Sequence, residues 1–462
     1  MSIVYGVPAA VVDLVQKGLL ERAFHDGLFP ALMYRNEALV EDWPLNSGET
    51  LVMSRPGLLA PAITPLTAGT DPTPQTVAYE QWVAKLGRYG GTIDTHMPTA
   101  QIANANTFLR NIHQLGLQAG QTLNRLPRNS LFKAYLSGQT CLTAAALAAA
   151  TTISVAALSG FYDVVTPGVA GATAPVAVSV SNPLSATVGG EVVSIVGFAP
   201  TSPSDPDGPG TLTLAAGLAA GHASRSTVKS AAAPDVIRAG SNPDSIDGLT
   251  GSSLFTLQNV IDACNKLRAN NVLPHEDGFY HAHISPSSNS QIFQDPAWRQ
   301  LHQSLPEGAV YQQGFLGTIA GIMFYLNNES PTKLNSGALT ATGGSALYAS
   351  DLGAEVQNAA GLKVGRVLVT GRGALYEKYI DESAYISEAG VTGKVGEFSI
   401  VNQGLAVMVE RVRLIIRSPL DRLQDMVAAT WSCSTSFTPP SDVSSGGPQR
   451  YKRCLVIEHA DS

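Results

Sequence analysis

Charged residues are scarce in this chain. Lys, Arg, Asp and Glu together make up 14% of its 462 residues, and the formal net charge is −7. Soluble domains usually carry about a quarter charged residues. A dedicated nucleic-acid-binding protein is normally basic, so the composition argues against that class. Low charge beside 44% hydrophobic residues is instead typical of a protein whose surfaces are largely covered by partners.

Cysteine and familiar catalytic motifs are equally scarce. The four cysteines lie far apart and form no CxxC pair: Cys141, Cys264, Cys433 and Cys454. This usage fits a reducing cytoplasm and argues against a disulfide framework or a zinc knuckle. The sequence contains no P-loop, no GxSxG elbow and no HExxH motif. VTGRGAL (Val369–Leu375) lacks the third glycine of a dinucleotide-binding turn, so it indicates a tight turn instead.

Signals for secretion or membrane insertion are also missing. The opening segment lacks the basic start and apolar core of a signal peptide, and Pro8–Phe24 instead predicts an amphipathic helix. Thr140–Phe161 is uncharged, but it consists mostly of Ala, Thr and Ser, and Pro- and Gly-rich sequence follows it. We therefore expect neither secretion nor a membrane partner.

The most informative pattern that is present is a long extended excursion. Glu49–Arg55 favours a short strand, Val77–Ile93 a returning one, and five prolines interrupt the stretch between them: Pro56, Pro61, Pro65, Pro72 and Pro74. Because proline donates no backbone hydrogen bond, this stretch should be extended and poorly paired within its own subunit. About twenty extended residues span roughly 65 Å, more than a compact domain needs. We expect this arm to lie on a neighbouring copy, with contact candidates Pro65, Leu66, Trp82 and Tyr89.

A long amphipathic helix follows the arm. Apolar residues recur at spacings of three and four: Ile102, Ala105, Phe108, Ile112, Leu115, Ala119, Leu123 and Leu126. Pro98 and Thr99 supply a start signal, and Pro127 should kink or restart the helix. About 28 residues before that proline would form a rod of roughly 40 Å.

The charges on this helix are all positive. It carries Arg110, Arg125, Arg128 and Lys133, and no Asp or Glu occurs between Asp94 and Asp163. Three roles stay open for this stripe: a solvated face, contact with acidic surfaces of neighbouring subunits, or weak contact with nucleic acid. Arg110, Arg125 and Arg128 are therefore further candidates for inter-subunit contact.

The middle of the chain changes character. Short β-favouring runs such as EVVSIVGF and GTLTLA are separated by Pro/Gly clusters such as PTSPSDPDGPG. The pattern predicts a small all-β insertion, as a sandwich, a barrel or a loose arm, with a disordered linker as the alternative.

From Leu254 onward the pattern is mixed α/β. Leu257–Leu267 predicts a helix that ends near Asn270 and Asn271, and the glycine-rich Lys333–Ser345 predicts an exposed loop. Strand candidates are Phe279–Ile284, Thr318–Tyr325, Val364–Thr370, Phe398–Val401 and Leu405–Ile416. In the last, Val412, Leu414 and Ile416 alternate with arginines, which indicates one buried and one wet face.

One arrangement suits metal ligation. His281 and His283 form an HxH pair on a strand candidate, with His275 and Asp277 nearby, and this spacing would place both rings on one face. No further ligand lies at a diagnostic spacing, so a structural role for these histidines is favoured. A metal-dependent hydrolase using His275, His281 and His283 is the alternative of a different class.

Several motifs together resemble a known family. Thr64–His96 (TPLTAGTDPTPQTVAYEQWVAKLGRYGGTIDTH) is followed by the long helix and RNSLFKAYLSGQ, and later by GFYHAHISPSSNSQIFQDPAWRQ, SPLDRLQDMVAATW and RYKRCLVIEH. Their order and spacing are similar to those of tailed-bacteriophage major capsid proteins of the Hong-Kong-97 type, most of all the N-four-like branch. The resemblance covers most of Met1–Gln139 and Leu254–Asp461, but not the middle.

The resemblance implies an α+β phage major capsid (Hong-Kong-97-type) fold. The implied domains are an N-terminal arm and helix (1–44), an extended loop or β-hairpin arm (45–95), the spine helix of the peripheral domain (96–138), a β-rich insertion domain (139–235), the axial domain with the remaining peripheral-domain elements (236–418), and a C-terminal helix and strand (419–462).

The resemblance also implies a structural function without catalysis or cofactors. The subunit would self-assemble through hexamers and pentamers into an icosahedral head that encloses double-stranded DNA, contacted weakly and non-specifically. Implied partners are a separate scaffolding protein, a portal and, optionally, a decoration protein. The protein would assemble in the bacterial host cytoplasm and reside in the virion.

Two details qualify this interpretation. Some family members lock their shells with a Lys–Asn isopeptide bond, but between Leu45 and Leu86 this chain carries only Lys85, at the base of the loop. We therefore expect a non-covalent shell. The alternative within the same fold is the shell of an encapsulating nanocompartment, which a cargo-docking groove or a neighbouring enzyme gene would indicate.

Overall fold

The structure, a computed structural model, describes residues 15, 18–29, 32–44, 47–57, 59, 61–67, 69, 71–96, 107–165, 168–169, 175–203, 206–303, 317–327, 358, 360–382, 391–395, 397–401, 404–417, 423, 425–443 and 449–461. The chain is mixed α+β, as the sequence predicts. It divides into two compact units. The first comprises Met1–Leu51, Ala84–Arg128 and Leu375–Thr438, and the second comprises Val52–Val83, Asn129–Ala374 and Pro439–Ser462.

The α-helices in the described residues are α1 (Leu19–Leu28), α2 (Thr107–Tyr135), α3 (Leu257–Ala269), α4 (Pro286–Gln294) and α5 (Pro296–Gln303). The strands are β1 (Ala38–Asp42), β2 (Thr50–Pro56), β3 (Ala78–Lys85), β4 (Gly87–His96), β5 (Gln139–Cys141), β6 (Thr152–Val155), β7 (Asp163–Val164), β8 (Gly168–Val169), β9 (Val176–Ala177), β10 (Leu184–Val188), β11 (Glu191–Pro200), β12 (Gly210–Leu214), β13 (Thr227–Ser230), β14 (Val236–Arg238), β15 (Tyr280–Ile284), β16 (Thr318–Ile319), β17 (Ile322–Leu326), β18 (Val364–Thr370), β19 (Leu375–Tyr379), β20 (Val391–Val395), β21 (Phe398–Val401), β22 (Gly404–Val409), β23 (Val412–Arg417), β24 (Met426–Thr438) and β25 (Cys454–Ala460).

The predicted apolar stripe of the long helix is buried. Phe108, Ile112, Leu115, Ala119 and Leu123 are all at most 2% exposed and belong to the core of the first unit. Pro127 lies inside α2 without ending it, so the helix does not restart there as expected. A proline removes one backbone hydrogen bond, and in a long, well-packed helix the remaining contacts outweigh that loss. The predicted start at Pro98 and Thr99 lies outside the described residues.

Two glycines let α1 and α2 approach closely. A Cβ on Gly27 would lie 2.5 Å from the carbonyl oxygen of His113, and a Cβ on Gly116 would overlap the carbonyl oxygen of Phe24. Glycine in a helix interior costs roughly 1 kcal/mol relative to alanine. Here the close packing of the two backbones explains why both positions are glycine.

An eight-stranded sheet forms the rest of the first unit. Its order is β1-β19-β24-β23-β22-β21-β20, and β4 also pairs with β24. The β4–β24 ladder runs antiparallel from Met426 opposite His96 to Thr435 opposite Gly87. The C-terminal helix expected in 419–462 is wrong for the described residues, since Met426–Thr438 is a strand. Its Thr, Val and Trp residues favour a strand that has pairing partners on both sides.

The single strand expected over Leu405–Ile416 is instead a hairpin. β22 and β23 meet at a two-residue turn in which Glu410 and Arg411 have φ of 47° and 67°. Such a left-handed turn matches the twist of the flanking strands. Val412, Leu414 and Ile416 are buried as expected, but the wet-face expectation fails at Arg413, which is 7% exposed and lies 3.0 Å from Glu382.

A six-stranded mixed sheet forms one core of the second unit. Its order is β14-β25-β18-β15-β17-β16, and it packs against α3, α4 and α5 through Cys264, Leu267, Ile292, Trp298 and their neighbours. Helix α3 begins at a capping box formed by Thr256 and Asn259 and ends at Asn270, as predicted.

A buried charge triad crosses this sheet. Arg238 on β14 and Arg366 on β18 both lie directly opposite Glu458 on β25. Arg238 Nε donates to Glu458 Oε2 over 2.9 Å, and Arg366 Nε donates to Oε1 over 3.1 Å. Burial acts to raise the pKa of Glu458, but the two guanidinium groups outweigh it and lower that pKa.

Strands are the only regular secondary structure in the described part of 139–235. Six of them form an antiparallel sheet in the order β5-β13-β10-β11-β12-β6, with its own core of residues such as Val155, Val188, Ile195 and Leu212. Thr140–Phe161 contributes β5 and β6 to this sheet. In the described part of the chain, no helix has both the length and the apolar composition needed to span a bilayer.

Several other sequence expectations can be compared with the structure. β18 and β21 have the predicted bounds, and β15 begins one residue later than predicted. Thr318–Tyr325 is again a hairpin, β16 and β17, with a turn at Ala320 and Gly321. The loop Lys333–Ser345 and Pro8–Leu14, the first part of the predicted N-terminal helix, lie outside the described residues.

The first prediction concerns the buried triad. Glu458→Gln should lower the free energy of unfolding by about 3–5 kcal/mol, because it leaves two buried guanidinium groups without a counter-charge. Urea denaturation followed by circular dichroism measures this. Glu276→Gln is the matched control: its carboxylate is 82% exposed beside Arg372, so the expected change is below about 1 kcal/mol.

The stability of the unsubstituted chain and that of Glu458→Gln should respond differently to pH. The folded-state pKa of Glu458 lies below its unfolded value, so its stabilising contribution is present above the unfolded pKa and is lost as the pH falls through the folded one. Acid should therefore destabilise the unsubstituted chain more steeply than Glu458→Gln. Equal acid sensitivity would contradict this role for the triad.

A second prediction concerns Gly365 on β18. It lies opposite His459 in the ladder, and a Cβ there would be 2.5 Å from the His459 ring. Gly365→Ala should destabilise the chain by about 1–3 kcal/mol through overpacking. At Gly251 a Cβ would meet nothing within 4 Å, so Gly251→Ala should leave the thermal midpoint nearly unchanged. Equal midpoints for the two variants would refute the packing argument.

Candidate inter-subunit surface

The predicted arm is present as two strands joined by a long loop. β2 and β3 pair with each other, and β8 pairs with the far side of β3. The Gly57 N–H donates to the Ala78 carbonyl over 2.7 Å and closes this ladder. Beyond it, every described residue of 58–76 is outside helices and strands and is exposed. The prolines explain this, because they cannot donate ladder hydrogen bonds.

The loop carries apolar side chains that its own subunit does not cover. Leu59 is 53% exposed, Leu66 is 69% exposed and Ile63 is 86% exposed. Single exposed apolar residues are common, but three within eight positions of an uncovered loop form a surface that favours contact with another molecule. Pro65, the other contact candidate on this segment, is also exposed.

Two buried carboxylates and two partly exposed arginines hold the base of the arm. We call these four residues the arm-base cluster: Arg55 on β2, Glu80 on β3, and Asp442 and Arg453 from the C-terminal segment. Arg55 Nη2 lies 2.6 Å from Asp442 Oδ1 and 3.1 Å from Glu80 Oε1. Arg453 Nε lies 2.9 Å from the same Asp442 oxygen. Both carboxylates are at most 2% exposed, so two arginines neutralise two buried acids.

The buried face of β3 completes this anchor. Glu80 and Trp82 point inward, while Tyr79 before them and Val83 after them are more than a third exposed. Ser441 Oγ donates to the second Glu80 oxygen over 3.1 Å. The arm therefore projects from a base that is fixed by specific, desolvated hydrogen bonds.

The structure divides the predicted contact residues into two groups. Pro65, Leu66 and Arg110 are exposed, and Arg125 is half-buried. Trp82 and Arg128 are each 6% exposed, so they pack within their own subunit and offer little surface.

Tyr89 has an intermediate position. It is partly buried against the core of the first unit. Burial and then the neighbouring Cys433 raise the pKa of its hydroxyl. Its ring is therefore mainly a packing residue of β4.

The candidate metal ligands form a ring cluster in the second unit. The rings of His275 and His281 stack with centroids 4.0 Å apart, and Tyr325 lies against His281 and His283. His281 Nε2 lies 2.8 Å from Asp277 Oδ2, and His275 Nε2 lies 3.3 Å from Thr370 Oγ1. His283 is 1% exposed.

These contacts bear on metal binding. The rings of His281 and His283 do share one side of the strand, because both contact Tyr325. However, the Nε2 atoms of His275 and His281 are each engaged by a neighbouring oxygen. Burial acts to raise the pKa of Asp277, but the Phe279 N–H and His281 lower it overall. These contacts describe a structural hydrogen bond and an aromatic stack.

The sequence offered no signal for the arm-base cluster. Arg55 and Asp442 are 387 positions apart, and Glu80 and Ser441 are 361 apart. Nothing in the local pattern around any of the four residues distinguishes them from solvated charges.

Comparisons with known proteins give structural neighbours only. No family model matches the chain, and no curated protein matches it. Similar solved structures include the capsid of cyanophage P-SCSP1u, at 11% identity and a TM-score of 0.47 over 93% of this chain and 89% of that chain. The capsid of Ralstonia phage GP4 is 12% identical, with a TM-score of 0.46 over 92% and 87%. The cyanophage Pam1 capsid is 9% identical, with a TM-score of 0.48 over 95% and 92%. At such low identity and scores, function has to be argued from the chain itself.

A third prediction follows from the arm-base cluster. Glu80→Gln should weaken the base of the arm by about 1–3 kcal/mol, because it removes one of the two carboxylates that pair with Arg55. Hydrogen–deuterium exchange at the Gly57 amide should accelerate accordingly. Glu49→Gln, at an exposed position beside β2, is the control and should leave that amide unchanged. Unaltered exchange in Glu80→Gln would show that the cluster does not hold the arm.

Proposed function

We propose that this chain is the major capsid protein of a tailed bacteriophage and self-assembles into the icosahedral head shell that encloses double-stranded DNA. The observation that carries the proposal is the anchored arm: a fixed base, and beyond it a long loop whose apolar side chains are left uncovered. Such a segment adds no core to its own subunit. Its apolar surface becomes favourable only when another subunit covers it.

The length of the loop supports the same proposal. Connections in compact domains are mostly about 4–6 residues long, and unstructured loops beyond about 12–15 residues are usually functional. The segment between β2 and β3 runs from Gly57 to Val77. An ordered base with a reach of tens of ångströms suits a subunit that must overlap its neighbours.

The element order supports the Hong-Kong-97-type fold and its N-four-like branch. The motifs that carry the sequence resemblance lie on β3, β4 and α2, then on β15, α4 and α5, and finally on β24 and β25. In this proposal 45–95 is the extended loop, 96–138 the spine helix, 139–235 the insertion domain and 236–418 the axial domain with further peripheral elements. Segment 1–44 is the N-terminal arm and helix, and 419–462 contributes strands.

The proposed assembly is non-covalent and non-catalytic. Lys85, at the end of β3 and on the base of the arm, is the single lysine between Leu45 and Leu86 and is poorly placed for a cross-link at the loop tip. Subunits would join as hexamers and pentamers through the arm, with Pro65, Leu66 and Arg110 as contact residues. A separate scaffolding protein, a portal and optionally a decoration protein are the proposed partners. Assembly would take place in the host cytoplasm, and the DNA would be contacted weakly.

Electron microscopy with sedimentation velocity tests the function directly. The purified chain, alone and with the candidate scaffolding protein, should form shells, capsomers, tubes or sheets that persist in EDTA. Persistence in the chelator would also argue against the hydrolase alternative based on His275, His281 and His283. A monodisperse monomer in both mixtures, carrying stoichiometric metal, would overturn the capsid proposal.

A fourth prediction assigns assembly to the arm. Leu66→Asp should abolish or strongly reduce assembly, because a carboxylate would be desolvated wherever the neighbour covers the loop. The subunit should remain folded by circular dichroism, since Leu66 is already 69% exposed.

The matched control is Leu147→Asp. Leu147 is 78% exposed but lies in the insertion rather than on the arm. The Leu147→Asp variant should assemble more readily than Leu66→Asp in the same sedimentation experiment. Normal assembly of Leu66→Asp would remove the arm from the proposal.

A further inference from the structure

The second unit contains a cavity that the proposed function does not use. Its volume is about 680 Å³, within the range of small-molecule sites. It lies between β10 and β13 of the insertion sheet, the C-terminal end of α3 and the segment that precedes β25. Small residues, including Ala186, Ala231 and Ala233, leave this space open.

The walls of the cavity carry positive charge and hydrogen-bond donors. Lys229 and Lys452 are its two charged lining residues among those described, and Ser185, Thr187 and Ser230 add hydroxyl groups. Within the described lining there is no Asp or Glu. Lysines and hydroxyl groups are the donors that bind phosphate and carboxylate oxygens in proteins.

The carboxylates near Lys452 are already neutralised by other cations. Asp235 lies 2.9 Å from Lys266 Nζ and accepts a hydrogen bond from Gln449 Nε2 over 2.6 Å. The two carboxylates of the arm-base cluster are held by its two arginines. The surroundings of the cavity therefore carry an excess of positive charge.

Lys452 is itself largely buried, with 8% of its surface exposed. Burial lowers the pKa of Lys452, against the nearby carboxylates, so an anion in the cavity would favour its charged form.

We propose that this cavity binds a small anion that carries phosphate or carboxylate groups. Lys229 and Lys452 supply the charge, the hydroxyl groups orient the oxygens, and Val192 with the alanines covers the rest of the molecule. Such a ligand would join the insertion sheet to α3 and to the C-terminal segment. It would therefore stabilise the second unit, whether or not the chain assembles into shells.

The test uses isothermal titration calorimetry and thermal unfolding of the purified full chain. Inorganic pyrophosphate and citrate are the two probes, at millimolar concentration and constant ionic strength, and glycerol is the uncharged control. At least one anion should bind and raise the unfolding midpoint, and glycerol should not. Binding of pyrophosphate alone identifies a phosphate ligand, and binding of citrate alone identifies a carboxylate ligand.

Variants of Lys229 locate the binding. Lys229 is exposed, so Lys229→Gln should fold normally, and it should weaken anion binding at least about tenfold. Lys229→Glu should abolish binding. Lys394→Gln removes the same charge at an exposed position of the first unit and should bind like the unsubstituted chain. Absence of binding by both anions, or equal binding by the Lys229 and Lys394 variants, would overturn the proposal.

Discussion

Buried carboxylates held between arginines are the interaction on which this structure most depends. The pattern recurs in three places. Glu458 lies between Arg238 and Arg366 across three strands of one sheet. Glu377 lies between Arg35 and Arg411 in the first unit, and Asp442 lies between Arg55 and Arg453 at the base of the arm. In each case the carboxylate is at most 2% exposed. A buried charge is tolerated only when its partners satisfy it, so each set fixes the position of segments that are distant in sequence.

This use of charge gives the low charge content a physical meaning. A chain with only 14% charged residues places several of them inside, where they specify register. Fewer charges then remain for the surface, and apolar residues such as Ile63 and Leu66 stay exposed on the arm. A surface of this kind favours burial against copies of the same chain. The described lining of the cavity carries two lysines and no carboxylate, which is why that cavity suggests an anion.

The sequence predicted elements well where the signal is local. The stripe of α2 and the bounds of α3 and β18 follow from periodicity, capping and β-branched composition. Prediction from the sequence failed where a hairpin turn lacks the glycine or asparagine that usually marks it. Glu410 and Arg411 adopt left-handed backbone conformations without glycine or asparagine, so one strand was expected where a hairpin lies. It also failed at Met426–Thr438, where pairing on both sides decides in favour of a strand.

The sequence by itself determined the mixed α+β class, the long helix, the proline-interrupted arm and the exposure of Pro65 and Leu66. These features depend on residues close together in the chain, where periodicity and backbone hydrogen bonding act directly. The tertiary structure alone decided that Trp82 and Arg128 are buried, that Arg55 meets Asp442, and that Lys229 and Lys452 line one cavity. The last two depend on packing between segments that are hundreds of residues apart in the chain. No local pattern encodes such contacts, because burial and partner are set only when the whole sheet has formed.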